Sequence, residues 1–94
     1  MIKAKFSEGK TDILLTVSGH SGKRGESLVC AGVSTLMFAL ERTLKNSGFD
    51  YEKVISDGLF QIIAEKKSRP FFDVVLSGLI LLAKEYPEEV NLKM

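Results

Sequence analysis

Apolar and polar residues alternate from the first positions of the chain. Ile2, Ala4 and Phe6 trade places with Lys3, Lys5 and Ser7, the period-two pattern of a strand with one buried face. Glu8-Gly9-Lys10 predicts a turn, because Gly9 can take positive φ. Ile13, Leu15 and Val17 then alternate with Leu14, Thr16 and Ser18, completing a first hairpin that runs out at Gly19-His20.

Downstream the period changes. Val29, Val33, Leu36, Met37, Leu40 and Leu44 fall at helical spacings and form one apolar stripe. The stripe predicts a helix from about Leu28 to about Ser47. Ser27 is its expected N-cap, since a serine hydroxyl can accept from a free backbone N–H, and Gly48 is its expected stop. Glu41 and Lys45 are spaced for an i,i+4 ion pair. Tyr51 to Ser56 and Leu59 to Glu65 read as two further strands around Asp57-Gly58, a strong two-residue hairpin signal. Ser68-Arg69-Pro70 opens a second helix with proline at its first position. Phe71 to Lys84 continues it, and Pro87 ends it by pushing the preceding residue away from helical angles. Val90, Leu92 and Met94 alternate in a last short strand.

The expected fold is therefore α+β: two ββα units plus a C-terminal strand, with two helices packed against a small mixed or antiparallel sheet. The second helix is unusually apolar. Phe71, Val75, Leu79 and Leu82 line one face, and Phe72, Leu76, Ile80 and Ala83 line the next. So wide a stripe needs a second apolar partner beside the sheet. The first helix is one candidate. A twofold-related copy of the chain is the other, with Ser77 and Gly78 allowing close approach.

Length and charge narrow the possibilities. Ninety-four residues, 45% apolar and 27% charged, make one domain over 1–94 with a modest core. Thirteen basic and twelve acidic residues leave a net charge of +1, which offers no strong field for nucleic acid or membrane. Neither is expected as a direct partner. One cysteine and one histidine are too few for a four-ligand zinc site, so no metal or other cofactor is expected. The N-terminal residues lack an apolar stretch of signal-peptide length. No apolar run is longer than Leu79 to Ala83, far short of the roughly 20 residues of a spanning helix. The expected location is the cytoplasm.

The rare residues gather between Gly19 and Ser34, in GHSGKRGESLVCAGVS. His20 lies on the strand side of a glycine-bearing loop and Cys30 in the first turn of the helix. A helix N-terminus favours a thiolate, and its free N–H groups can hold a developing oxyanion. A loop over Ser21 to Glu26 can bring strand end and helix start together. Gly19, Gly22 and Gly25 permit close backbone approach to a ligand. Duller readings compete. A lone cysteine is most often a buried hydrophobe, and a lone histidine at a strand end is most often a polar loop residue. Ser34, one turn beyond Cys30, either supports the thiolate or packs beneath the loop. Lys23 and Arg24 either clamp a carboxylate or phosphate or form a solvated tip. Met37, Phe38, Phe71 and Phe72 read as core.

Gly19-His20-Ser21-Gly22 followed by Val29-Cys30-Ala31-Gly32-Val33-Ser34 resembles the signature of the ribosomal-processing cysteine protease family Prp, over nearly the whole chain. The resemblance implies a small cytoplasmic α+β protease acting as a homodimer. Its implied reaction removes the N-terminal extension of bacterial large-subunit ribosomal protein twenty-seven, next to an apolar, aromatic-bearing peptide. Carried over, Cys30 is the nucleophile, His20 the general base and Ser34 the family's serine after the cysteine. The chain departs from the family where many members have an aspartate three residues before the cysteine: here Ser27 stands in that place, beside Glu26. The competing class is a non-catalytic, ribosome-associated binding module. In it the glycine-rich loop with Lys23 and Arg24 grips a partner, and Cys30 is packing.

Overall fold

The structure is a computed structural model that describes residues 1–20 and 28–94. The expectations placed on Gly22, Lys23, Arg24, Gly25 and Ser27 lie outside the described residues.

The alternation read along the strands becomes the two faces of one sheet. In β1 (Ile2–Glu8) and β2 (Asp12–Ser18), the buried residues are Ile2, Ala4 and Phe6, then Ile13, Leu15 and Val17. Antiparallel pairing sets Ala4 opposite Val17 and Phe6 opposite Leu15, so the apolar sets of both strands share a face. β3 (Tyr51–Ser56) and β4 (Leu59–Glu65) form the second hairpin. β4 pairs antiparallel with β2, placing Leu15 opposite Ile62 and Ile13 opposite Ala64. β5 (Val90–Lys93) runs parallel to β1, with Val90 opposite Ile2. The order across the sheet is β3-β4-β2-β1-β5, and the sheet is mixed.

Both helices carry the chain between parallel strands of that sheet, and both lie on its apolar face. α1 (Leu28–Asn46) buries Val29, Val33, Met37, Leu40 and Leu44, at the spacing the stripe predicted. Leu36 of the same stripe is half-buried. Gly48 takes φ 74°, with the Phe49 N–H donating to the Leu44 carbonyl and the Gly48 N–H to that of Lys45. This is the paired-bond glycine stop of a helix C-terminus. α2 (Arg69–Glu85) follows a single 3-10 turn over Lys66–Ser68. It starts earlier than expected, at Arg69, so Pro70 is its second residue rather than its first; neither position needs the missing N–H. Ser68 is fully buried and donates its hydroxyl to the Glu65 carbonyl at 2.7 Å, closing the 3-10 turn. The helix ends where Tyr86 takes an extended φ of −128° ahead of Pro87.

α1 is the apolar partner that α2 was expected to need. The two helices meet at glycines: a Cβ on Gly78 would stand 2.8 Å from both Leu36 methyls, and one on Gly32 3.5 Å from a Leu82 methyl. The close approach at Gly78 is thus taken up within the chain. The buried stripe of α2 is Phe72, Val75, Leu76 and Leu79. Ile80, expected to pack, stays about half exposed at 47%, because sheet and α1 together reach only one side of so wide a stripe. Phe71 is half-buried and meets Phe49 edge-to-face, with ring centroids 5.6 Å apart.

One expected pair is replaced. The Glu41 carboxylate accepts from the Lys53 ammonium and from the Tyr51 hydroxyl, both on β3, and Lys45 adds a through-space charge. A long-range tie of α1 to the edge strand thus stands where local spacing predicted an i,i+4 bridge. Lys53 holds the Glu41 carboxyl below the usual carboxylate range. Glu41 in turn holds Lys53 above its own range, while burial is the main cause that raises Tyr51.

Candidate active site

β2 delivers its last residues in a conformation that only a few residue types can take. Gly19 has φ 91°, and its N–H donates to the Gly58 carbonyl at 2.9 Å. This bond ties the end of β2 to the tip of the β3–β4 hairpin. The Met1 ammonium donates to the His20 carbonyl at 2.8 Å. His20 is therefore held through its backbone on one side and through Gly19 on the other. Its side chain is 45% exposed.

The hairpin tip supplies the surface on which the imidazole rests. Asp57 and Gly58 join β3 to β4, and Gly58 takes φ 72° while Asp57 does not enter the positive region. A Cβ on Gly58 would come within 3.2 Å of His20 Nε2, so the missing side chain is what lets the ring lie there. Asp57 Oδ1 stands 3.9 Å from the same nitrogen.

Cys30 arrives from the opposite side. α1 is described from Leu28, which places Cys30 in its first described turn. Its side chain is half-buried and packs against the core. Ser34 follows one turn later on the same face and is exposed. A cavity of about 200 Å³ is lined by Gly19, His20, Cys30 and Ser34 together. Its remaining wall is largely apolar, from Phe38 on α1 and from Ile55, Leu59 and Phe60 on the hairpin, with Met37 below. Phe38 meets Phe60 edge-to-face at 4.9 Å between centroids.

The structure thus brings together the imidazole, the thiol, Ser34 and Gly19. Gly22, Lys23, Arg24, Gly25 and Ser27 are outside the described residues. Phe38 is corrected: it is half exposed and forms cavity wall, because it sits one residue past the buried Met37 and faces the hairpin. Met37 and Phe72 are core as expected. Residue patterns missed the hairpin's contribution altogether. Asp57-Gly58 signalled a turn, but its place beside His20 depends on β4 lying next to β2, which no local pattern encodes. Among the described residues no group of three or more metal-ligating side chains is brought together. No described helix is long and apolar enough to cross a membrane.

Fold and cavity define a small α+β protein that sets one thiol and one imidazole, from different elements, on the walls of a single apolar cleft. The chain as a whole is similar to known proteins. The family described as cysteine protease Prp matches residues 1–91, and the chain belongs to that family. Among solved structures it is similar to an essential ribosomal processing protease Prp from S. aureus in complex with a covalently linked product peptide. That chain is 23% identical, with a TM-score of 0.84, and the match covers 99% of this chain and 98% of the other. The S. aureus protease in complex with a substrate peptide is 21% identical at a TM-score of 0.81, with full coverage of both chains. SMU.848 from Streptococcus mutans is 29% identical, with a TM-score of 0.74, covering 99% of this chain and 92% of the other. Among curated proteins no match is found.

Proposed function

We propose that this chain is a cysteine endopeptidase in which Cys30 is the nucleophile and His20 the general base. Its substrate in this reading is bacterial large-subunit ribosomal protein twenty-seven, from which it removes an N-terminal extension. One observation carries the catalytic half: in a chain of a cysteine protease family, the only cysteine and the only histidine line one cavity from separate elements. The substrate half rests on the sequence resemblance and on the S. aureus relative, a ribosomal processing protease that takes a substrate peptide and a covalently linked product peptide. The largely apolar wall suits an apolar or aromatic substrate side chain. Residues 1–94 act as one protease domain, working in the cytoplasm as a homodimer.

In the first step His20 takes the Cys30 proton and the sulfur attacks the scissile carbonyl carbon. The carbonyl oxygen becomes an oxyanion, held by N–H groups of the first turn of α1. As the C–N bond breaks, His20 passes its proton to the leaving amine, and the acyl group stays on Cys30 as a thioester. Water then loses a proton to His20 and attacks the thioester. The C–S bond breaks, the acid product leaves, and the proton returns to the Cys30–His20 pair. Ser34 lies on the same wall and supports the pair.

The test is cleavage of a synthetic peptide spanning the extension junction of the ribosomal protein, followed by mass spectrometry. Wild-type protein is expected to cut one bond. Cys30→Ala should cut none and keep its thermal midpoint, and His20→Ala should be strongly impaired. Full activity in Cys30→Ala would overturn the reading.

A further inference from the structure

The geometry points to Asp57, at the tip of the β3–β4 hairpin, as the positioning residue that orients His20 from outside the two sequence motifs. This deepens the protease reading and rests on it. Ser27 stands in the place where many family members carry an acid before the cysteine, which leaves open which group orients the imidazole. The structure places the Asp57 carboxylate beside the ring.

Three contacts converge there. The Gly19 N–H to Gly58 carbonyl bond, at 2.9 Å, locks the strand end that carries His20 to the hairpin tip. The absent side chain of Gly58 lets the ring lie against the tip, with Nε2 at 3.2 Å from where a Cβ would be. Asp57 Oδ1 faces that same nitrogen at 3.9 Å. An imidazole that gives Nε2 to a carboxylate keeps Nδ1 for the thiol, and a carboxylate there stabilises the positive charge that the ring gains when it takes the Cys30 proton. The contact is open to water, with the Asp57 side chain 69% exposed, and it tightens when a peptide covers the cleft and displaces that water. No bond is made or broken at Asp57. It holds the ring and balances a charge that His20 acquires and then gives up.

The decisive comparison is Asp57→Asn against Asp57→Glu. Asp57 stays outside the positive-φ region and asparagine is its isosteric turn residue, so the asparagine variant keeps the backbone turn and removes the carboxylate charge. Its kcat for peptide cleavage should fall about fivefold, the scale of an ion pair open to water, with KM within about twofold and the thermal midpoint unchanged. Asp57→Glu should recover most of the lost kcat. A kcat within about twofold of wild type in Asp57→Asn would overturn the proposal. So would equal losses in both variants with a lowered midpoint, since that pattern belongs to hairpin geometry alone. Alkylation of Cys30 by iodoacetamide, which needs no peptide, separates this proposal from the protease reading. Slower alkylation in both His20→Ala and Asp57→Asn, with no peptide cut by wild type, would support the positioning role and sink the protease. Slower alkylation in His20→Ala alone would do the reverse.

Discussion

Gly19 lies so close to Met1 that no side chain fits between them: a Cβ on Gly19 would stand 2.3 Å from the Met1 carbonyl oxygen. The obstacle is backbone, and Met1 is itself bonded to His20, so it cannot move aside without disturbing the site. Gly19 also has φ 91°, a region that costs an L-residue about 1–2 kcal/mol. Gly19→Ala should therefore lose more than strain alone, at least about 2 kcal/mol by urea denaturation. An unchanged midpoint would mean that the start of β1 yields freely.

Phe38 and Phe60 meet edge-to-face on the cavity wall, and Phe38 is 50% exposed. Phe38→Ala should cost only about 1 kcal/mol of stability, the worth of an aromatic pair at a half-open position. Its larger effect should be on substrate binding, seen as a raised KM with kcat little changed in steady-state peptide cleavage. The opposite pattern, an intact KM, would show that the peptide does not touch this wall.

The bond from Lys53 to Glu41 makes the fold acid-sensitive in a defined direction. Lys53 is the largest cause lowering the Glu41 carboxyl from its ordinary value of 4.5; burial opposes it, and the Tyr51 hydroxyl assists it. A carboxyl that is more acidic folded than unfolded contributes stability that is present above its unfolded value. That contribution is lost as pH falls through the lower folded value. Between pH 7 and pH 3, Glu41→Gln should thus lose less stability than wild type, and the two denaturation curves should converge in acid. Parallel curves across that range would show that the bond does not hold in solution.

Leu36 fills the notch over Gly78. Gly78→Val should overpack the seam between α1 and α2 and lower stability by about 1–3 kcal/mol. Gly78→Ala sets the same crowding against roughly 1 kcal/mol of gained helix propensity and should be much milder. Calorimetric midpoints of the two variants, in the order Ala above Val, check this. A Val variant as stable as wild type would place the helices further apart.

Period and punctuation carried the elements well. Alternation around Phe6 and Leu15, the Asp57-Gly58 turn, the Gly48 stop and the Pro70 and Pro87 brackets all mark features that local backbone physics decides. The failures share a different cause. Lys45 was the cation at i+4 spacing from Glu41, but Lys53 is the one β3 brings to it. Phe38 read as core because burial of a helix face depends on what stands opposite. Gly78 read equally well as a contact for a second copy, since small residues mark close approach without naming the partner. Asp57 could not be connected with His20 until β4 was known to lie beside β2. In each case the deciding contact spans elements far apart in sequence, and patterning within a segment is blind to it.

The parallel pairing of Ile2 with Val90 also sets an order of events during synthesis. A chain is made from its N-terminal end, so β5 leaves the ribosome after every other strand of the sheet. Until then β1 is an unprotected edge, and the strand that follows Met1, the residue bonded to the His20 carbonyl, lacks one of its two neighbours. His20 and Cys30 are translated early, but the frame around the imidazole closes last.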